Sequence, residues 1–381
     1  MMDIDVIVIG GGVVGLACAA ESAKQGYSTL LVERHESFGQ ETSSRNSEVI
    51  HSGIYYPTGT LKARLCVTAN NNLYDESDRA GVWNRRCGKL IVAVATGEIE
   101  PLKKLYERGV ANGVDGLRFL DAREAKRIES HIECNAAILL PTTGIIDSHE
   151  LMKSYLLEAK EHGADTAFGV EFIAGERKDG RYHLRLRDTN NEDVKVEAQY
   201  VVNSGGLRAD KVAEGFGIDI DKAEYRLHHN RGHYYSVSGL NNNMISHLIY
   251  PLPHSHLVSV GIHMTIDRSG RMKLGPDTEY LNDSLPESEW YKFDPDVSGR
   301  KEKFFNAVHR YFPPLKLDNL SPDQVGVRPK LKGSEETVKD FIIHEESDKG
   351  LPGLVNLIGI ESPGLTCSRE IAREVFRILK N

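Results

Sequence analysis

Apolar residues run from Val6 to Ile9 and are followed by Gly10-Gly11-Gly12-Val13-Val14-Gly15; an alanine-rich segment then reaches Gln25-Gly26, and a second apolar run closes at Glu33. This pattern predicts strand, tight turn, helix, turn and strand. Gly10 permits the turn, Gly12 lets backbone N–H groups approach a pyrophosphate, and Gly15 lets helix and strand pack closely. The helix from Val13 would offer its positive end to phosphates. Glu33 lies eighteen residues beyond Gly15, near the roughly 20 expected of a carboxylate that takes ribose hydroxyls.

Further along, periodicity predicts helices over Leu61–Asp78, Glu98–Asn112 and Ser148–Gly163, the last with Ser148 as N-cap and Gly163 as its stop. Strands are expected at Gly88–Ala95, Ala167–Ala174, Tyr182–Arg187 and Val194–Ala198. A buried strand from Gln199 ends in Gly205-Gly206 before a helix over Ala209–Phe216, as a backbone passing close to a dinucleotide requires. From Tyr225 to about Leu274 the chain alternates and is rich in aromatics and His, which predicts antiparallel strands such as Gly232–Val237 and Leu257–Met264. A helix near Glu302–Tyr311, strands around Phe341–Ile343 and at Gly353–Ile360, and a helix over Cys367–Leu379 complete the reading. The dinucleotide domain is thus expected in three separated pieces, with an antiparallel domain inserted between them.

Composition adds limits. At 381 residues the chain is long enough for two domains. The net charge of −8 and the absence of any basic run argue against a nucleic-acid partner. No uncharged apolar stretch reaches the roughly 20 residues of a membrane helix, although peripheral membrane contact stays compatible. Acidic residues ahead of Val6 argue against export, and the glycine turn at residue 10 leaves no room for a transit peptide. The five cysteines, Cys18, Cys66, Cys87, Cys134 and Cys367, form no C-x-x-C pair and read as reduced thiols. The expectation is a cytoplasmic protein, alone or peripheral to a membrane, with no metal.

Several blocks carry a resemblance. They are Gly10-x-Gly12-x-x-Gly15 with Glu33, Asn46-Ser47-x-Val49-Ile50-His51-Ser52-Gly53-Ile54-Tyr55-Tyr56, Leu61 to Cys66, Gly88 to Ala93, Thr143 to Asp147, Arg231-Gly232-x-Tyr234-Tyr235, and Gly359-Ile360-Glu361-Ser362-Pro363-Gly364-Leu365-Thr366. Together the chain resembles the FAD-dependent oxidoreductases of the D-amino-acid-oxidase-like superfamily, and within it the L-2-hydroxyglutarate dehydrogenase/oxidase group. Arg45-Asn46-Ser47-Glu48 stands where that group usually has His-Asn-Ser-Gly, and Val327-Arg328-Pro329-Lys330 is more basic than the group's pattern.

The resemblance implies an α/β (α+β overall) protein: a discontinuous Rossmann-like FAD-binding domain (1–85, 140–215 and 335–381) with an inserted, mainly antiparallel β-sheet substrate domain (86–139 and 216–334). FAD is the expected cofactor. Its expected contacts are Gly10, Gly12, Val13, Val14, Gly15, Glu33, Arg34, Ser43, Ser44, Arg45, Asn46, Ser47, Val170, Gly205, Gly206, Ser362, Gly364, Leu365 and Thr366.

Oxidising a 2-hydroxy acid moves a hydride to flavin N5 while the hydroxyl loses its proton, which needs a base near pH 7. His51, beside Tyr55 and Tyr56, is the first candidate and His263 the second; each could instead be a hydrogen-bonded structural His. Substrate carboxylates need fixed cations, for which Arg328, Lys330 and Arg231 are candidates, with Tyr56 and Tyr235 as further substrate-side groups. The expected reaction is oxidation of an L-2-hydroxy acid, most readily L-2-hydroxyglutarate to 2-oxoglutarate, with oxygen or a quinone pool as electron acceptor. An amine or amino-acid oxidase of the same fold and a flavin-binding protein without turnover are the alternatives.

Overall fold

The computed structural model describes residues 4–253, 261–293, 299–331, 333 and 339–380. Its chain forms two compact units: residues 1–46, 148–229 and 328–381 make the first, and residues 47–147 and 230–327 the second.

The first unit is built on an eight-stranded sheet. Strand β1 (Ile4–Ile9) leads through the glycine turn into helix α1 (Val13–Lys24) and then strand β2 (Thr29–Glu33), which lies parallel to β1. Ala17, Ala19, Ala20 and Ala23 of α1 are buried, and these small side chains let the helix pack between the helices Ser148–Glu161 and Gly364–Leu379. The strand Asp193–Asn203 changes partners along its length. Its first half pairs antiparallel with Arg181–Arg187, and its second half runs parallel to β1 and to Leu351–Ile358. What reads in the sequence as a short hairpin strand followed by a buried strand is therefore one strand, since no turn residue interrupts it.

The expected strand Ala167–Ala174 is two strands, Asp165–Phe168 and Glu171–Lys178, because Gly169 takes a φ of +73° between them. Ser148, expected as a cap, is itself the first helical residue. The C-terminal helix begins at Gly364 rather than Cys367, since the Pro363 carbonyl already accepts the Cys367 N–H at 2.9 Å.

The second unit carries a nine-stranded, mainly antiparallel sheet and a small three-stranded one. At the centre of the large sheet, Lys89–Ala93 pairs antiparallel with Ala136–Leu140 and parallel with Leu248–Pro251. Two further strands of this unit, Arg118–Asp121 and Ala136–Leu140, escape sequence patterning: the first is too short and the second apolar without alternation. The expected strand at Leu257–Met264 falls partly outside the described residues; Met264–Ile266 is a strand.

The unit boundaries differ from those expected. Residues 47–85 and 140–147 join the second unit, because Val49–Ile50 and Asn84–Arg85 both pair with Gly144–Ile146. Asn70 and Tyr74 of the helix Leu61–Arg79 add hydrogen bonds to the Thr142 carbonyl at 2.9 Å each. In the other direction, Ile218, Ile220, Tyr225, Leu227 and Leu331 enter the core of the first unit.

Candidate active site

In the first unit the glycines behave as three different devices. Gly10 has a φ of +106°, and a Cβ there would lie 2.4 Å from the Ser204 carbonyl oxygen. A Cβ on Gly15 would lie 1.9 Å from the Gly10 carbonyl oxygen and 2.6 Å from Ser204 Oγ. Both positions are closed by backbone. Gly12 is different: its Cβ would meet only the Ser43 hydroxyl, at 3.1 Å. The missing side chain there leaves room at the start of α1, where the Val13 N–H donates to Ser43 Oγ at 3.0 Å and Val14 sits half-buried in the first turn.

Glu33 is buried, and its carboxylate accepts the Gly11 N–H at 2.6 Å and the His35 N–H at 2.8 Å. A carboxylate offers about four lone-pair sites, so two remain for ribose hydroxyls. The Val170 N–H binds the Glu33 carbonyl at 2.8 Å and ties the next strand to this end of the sheet. Arg34, Arg208 and His35 gather on Glu41 at 2.5, 3.3 and 3.2 Å. Burial alone would raise the Glu41 carboxyl, but Arg34 and Arg208 outweigh it and hold the group below its ordinary value.

The loop is fastened by its own short side chains. Ser44 Oγ donates to the Gly39 carbonyl, Arg45 to the Gln40 carbonyl, and Asn46 Nδ2 to the Ser43 carbonyl at 2.7 Å. On the far wall, Ser204 Oγ donates to the Ile9 carbonyl at 2.8 Å, and Gly205-Gly206 open a 3-10 turn, Gly206–Arg208. Gly10, Gly12, Glu33, Ser43 and Gly205 line one cleft. A helix N-terminus, an absent side chain at Gly12 and a carboxylate on the wall fit the pyrophosphate and ribose of FAD.

The remaining residues of this unit that the sequence singles out lie at or just before the start of the C-terminal helix and at the end of the strand Leu320–Lys330. Gly364 and Thr366 are buried in the helix's first turn, Leu365 is half-buried, and Ser362 is exposed. Lys330 is buried and lies 2.8 Å from Glu361, while Arg328 is half-buried. Among the described residues His344, Glu346 and Asp348 bring potential ligand atoms within 4.8 Å of one another. Lys349 Nζ already sits 2.8 Å from Glu346 and 3.2 Å from Asp348.

In the second unit, His51 follows the strand Val49–Ile50, and its carbonyl accepts Asn70 Nδ2 at 3.1 Å and Cys66 Sγ–H at 3.4 Å. Burial, then the charge of Lys89, then His263 hold the His51 imidazole well below its ordinary 6.5. His263 is buried, contacts the Gly261 carbonyl through Nδ1 at 3.1 Å, and stacks on Tyr250 with ring centres 3.8 Å apart. Both candidate bases therefore belong to one cluster with Lys89 and Tyr250. Tyr56 is half-buried, and its carbonyl accepts Asn112 Nδ2 at 2.9 Å. Ser47 Oγ shares a hydrogen bond with the Tyr234 hydroxyl at 3.1 Å.

Two expected substrate groups are held elsewhere in this unit. Arg231 binds Glu279 at 2.7 Å and the Glu289 carbonyl at 3.2 Å. Tyr235 is packed in the core between Phe293 and Phe304. Sequence reasoning missed Arg208, Lys89 and Tyr250. Of these only Lys89 leaves a trace, as a lone cation opening an apolar run.

Comparison with known proteins identifies the family. The DAO family, FAD dependent oxidoreductase, matches residues 5–378. Over 401 residues the chain is 38% identical to the mitochondrial L-2-hydroxyglutarate dehydrogenase of Arabidopsis thaliana, covering 98% of this chain and 82% of that protein. The Bos taurus enzyme of the same name is 36% identical over 284 residues, which cover 72% of this chain and 60% of that protein. Among solved structures, the dithionite-reduced L-alpha-glycerophosphate oxidase from Mycoplasma pneumoniae with FAD bound superposes with a TM-score of 0.86 at 25% identity, covering 100% of this chain and 96% of that one.

The cytoplasmic location expected from the sequence is corrected by these relatives, since both L-2-hydroxyglutarate dehydrogenases are named as mitochondrial. Among the described residues no helix is long and apolar enough to cross a membrane. With the family match spanning nearly the whole chain and a cleft whose residues suit the cofactor, this chain belongs to the FAD-dependent oxidoreductases and is an enzyme that uses FAD.

Proposed function

We propose that this enzyme oxidises an L-2-hydroxy dicarboxylic acid, L-2-hydroxyglutarate, to the 2-oxo acid. The observation that carries the reading is the His51 imidazole, which is kept neutral by burial beside Lys89 and His263. A neutral imidazole accepts a hydroxyl proton, which is the step oxidation of an alcohol needs. FAD, when bound, supplies the hydride acceptor. The Gly12 opening, the start of α1 and Glu33 hold FAD. The guanidinium of Arg328 takes one substrate carboxylate, a geometry that suits a planar donor. The names of the Arabidopsis thaliana and Bos taurus relatives support the choice of substrate. Electrons pass on to oxygen or to a membrane quinone, the latter with peripheral membrane contact.

The test is anaerobic mixing of the holoenzyme with L- and D-2-hydroxyglutarate, L-2-hydroxybutyrate, glycerol 3-phosphate and a panel of 2-amino acids while the flavin absorbance is followed. Bleaching by the L-2-hydroxy dicarboxylate is expected. Bleaching by amino acids alone would transfer the assignment to amine oxidation.

A further inference from the structure

Lys89 opens a strand whose other residues, Leu90, Ile91, Val92 and Ala93, are apolar and buried, and it is itself 0% exposed. Its Nζ lies 4.7 Å from the ring centre of Tyr55 and 4.6 Å from that of Tyr250. The two rings are nearly parallel, 6.5 Å apart at 21°, and His263 stacks on Tyr250 at 3.8 Å and 16°. The amine therefore lies against two phenol rings whose faces favour a cation.

What Lys89 and the two hydroxyls lack is a hydrogen-bond partner. Among the described residues, Lys89 Nζ, Tyr55 Oη and Tyr250 Oη are buried and none has a hydrogen-bond partner. No carboxylate pairs with Lys89 among them. Buried donors left without acceptors are costly, and a buried ammonium more so than a hydroxyl. A protonated amine beside two hydroxyls that can both donate is a set that an anion completes. His51 feels the Lys89 charge, so the cluster adjoins the proposed base.

We propose that Lys89, together with the Tyr55 and Tyr250 hydroxyls, forms a seat for a carboxylate of the substrate. The inference rests on the reading of the enzyme as a 2-hydroxy dicarboxylic acid oxidoreductase: such a substrate brings two negative charges, and this seat neutralises one of them. Burial lowers the Lys89 amine to about 7, so it takes up a proton near neutrality when an anion arrives. Among the described residues Cys66 acts on the Lys89 amine, Lys89 and His263 act on His51, Tyr250 acts on Tyr55, and Tyr234, Cys87 and Tyr311 act on Tyr250.

The experiment measures the dissociation constant of glutarate, an unreactive dicarboxylate, from the perturbation of the flavin spectrum in holoenzyme between pH 6 and 9. In the wild type, binding is expected to weaken as pH rises through about 7. Lys89→Met should weaken glutarate binding at low pH by about 10–100-fold, the share of a charge-assisted hydrogen bond, and should flatten that pH dependence. Tyr55→Phe, which keeps the ring and removes one donor, should weaken binding by roughly fivefold. Wild-type affinity and pH dependence in Lys89→Met would overturn the seat and leave the amine with a bound water only. If Lys89→Met does not retain FAD, an unchanged dissociation constant in Tyr55→Phe overturns it instead. Bleaching of wild-type flavin by L-2-hydroxyglutarate tests the proposed reaction separately, so either reading can fail alone.

Discussion

The Glu33 carboxylate accepts the backbone N–H of Gly11 at 2.6 Å, joining the end of the second strand to the glycine turn after the first. The residue thus holds the turn in shape as well as facing the cleft. Glu33→Ala removes two hydrogen bonds to a carboxylate, from Gly11 and His35, each worth about 1.5–3 kcal/mol. Lower stability in urea and a smaller fraction of bound FAD after gel filtration are expected. Glu33→Gln, which can still accept from Gly11, should lie between the variant and the wild type in both measurements.

The glycines should separate by what surrounds them. Gly15→Ala forces a methyl group to within 1.9 Å of the Gly10 carbonyl oxygen, so the helix must move away from the strand. Gly12→Ala meets only a serine hydroxyl at 3.1 Å, which can rotate. Colourless, less stable protein is expected from Gly15→Ala. Gly12→Ala should fold normally with weakened FAD binding, and the ratio of flavin to protein absorbance reads both.

His51→Ala should slow flavin reduction by about 10²–10⁴, the usual share of a positioned base. Because burial, Lys89 and His263 hold the imidazole below its ordinary 6.5, the base stays neutral as pH falls past that value. The acid limb of kcat/KM in the wild type should therefore lie below pH 6.5. Arg328→Ala is expected to raise KM with little change in kcat, as for an anchor that binds ground and transition states alike. Stopped-flow reduction across pH separates the two variants.

Burial of Lys89 also predicts a stability effect that needs no ligand. Its proton leaves near 7 in the folded chain and near 10.4 in the unfolded one. Between these values the unfolded state binds more protons, so the wild type gains stability as pH rises. Below 7 both states are protonated, and the folded chain carries the whole cost of the buried charge. Lys89→Met should therefore be more stable than the wild type at pH 6 by a margin that shrinks towards pH 10. Urea unfolding of both proteins at four pH values measures this.

The local elements of the FAD cleft were legible because each depends on neighbours in sequence. A glycine turn needs its three glycines at fixed spacing, and Val13–Lys24 needs apolar and small residues on a helical period. His51 stood out because Tyr55 and Tyr56 follow it closely and because it lies in one of the blocks that carry the resemblance. Other features depended on partners far away. Glu41 meets Arg208 across 167 residues, and nothing in either local pattern marks the pair. Residues 47–85 were expected with the dinucleotide pieces, yet Val49–Ile50 pairs with Gly144–Ile146 and so joins the second unit. Lys89 looked like an ordinary strand-opening cation until the parallel pairing of Lys89–Ala93 with Leu248–Pro251 brought Tyr250 over its amine. Sequence by itself determined the turn that receives a dinucleotide, since short-range backbone geometry dictates it, and the family resemblance of its blocks pointed to FAD. The chemistry around His51 was decided only by the tertiary structure, because the charge and burial that tune a base come from strands that meet in space.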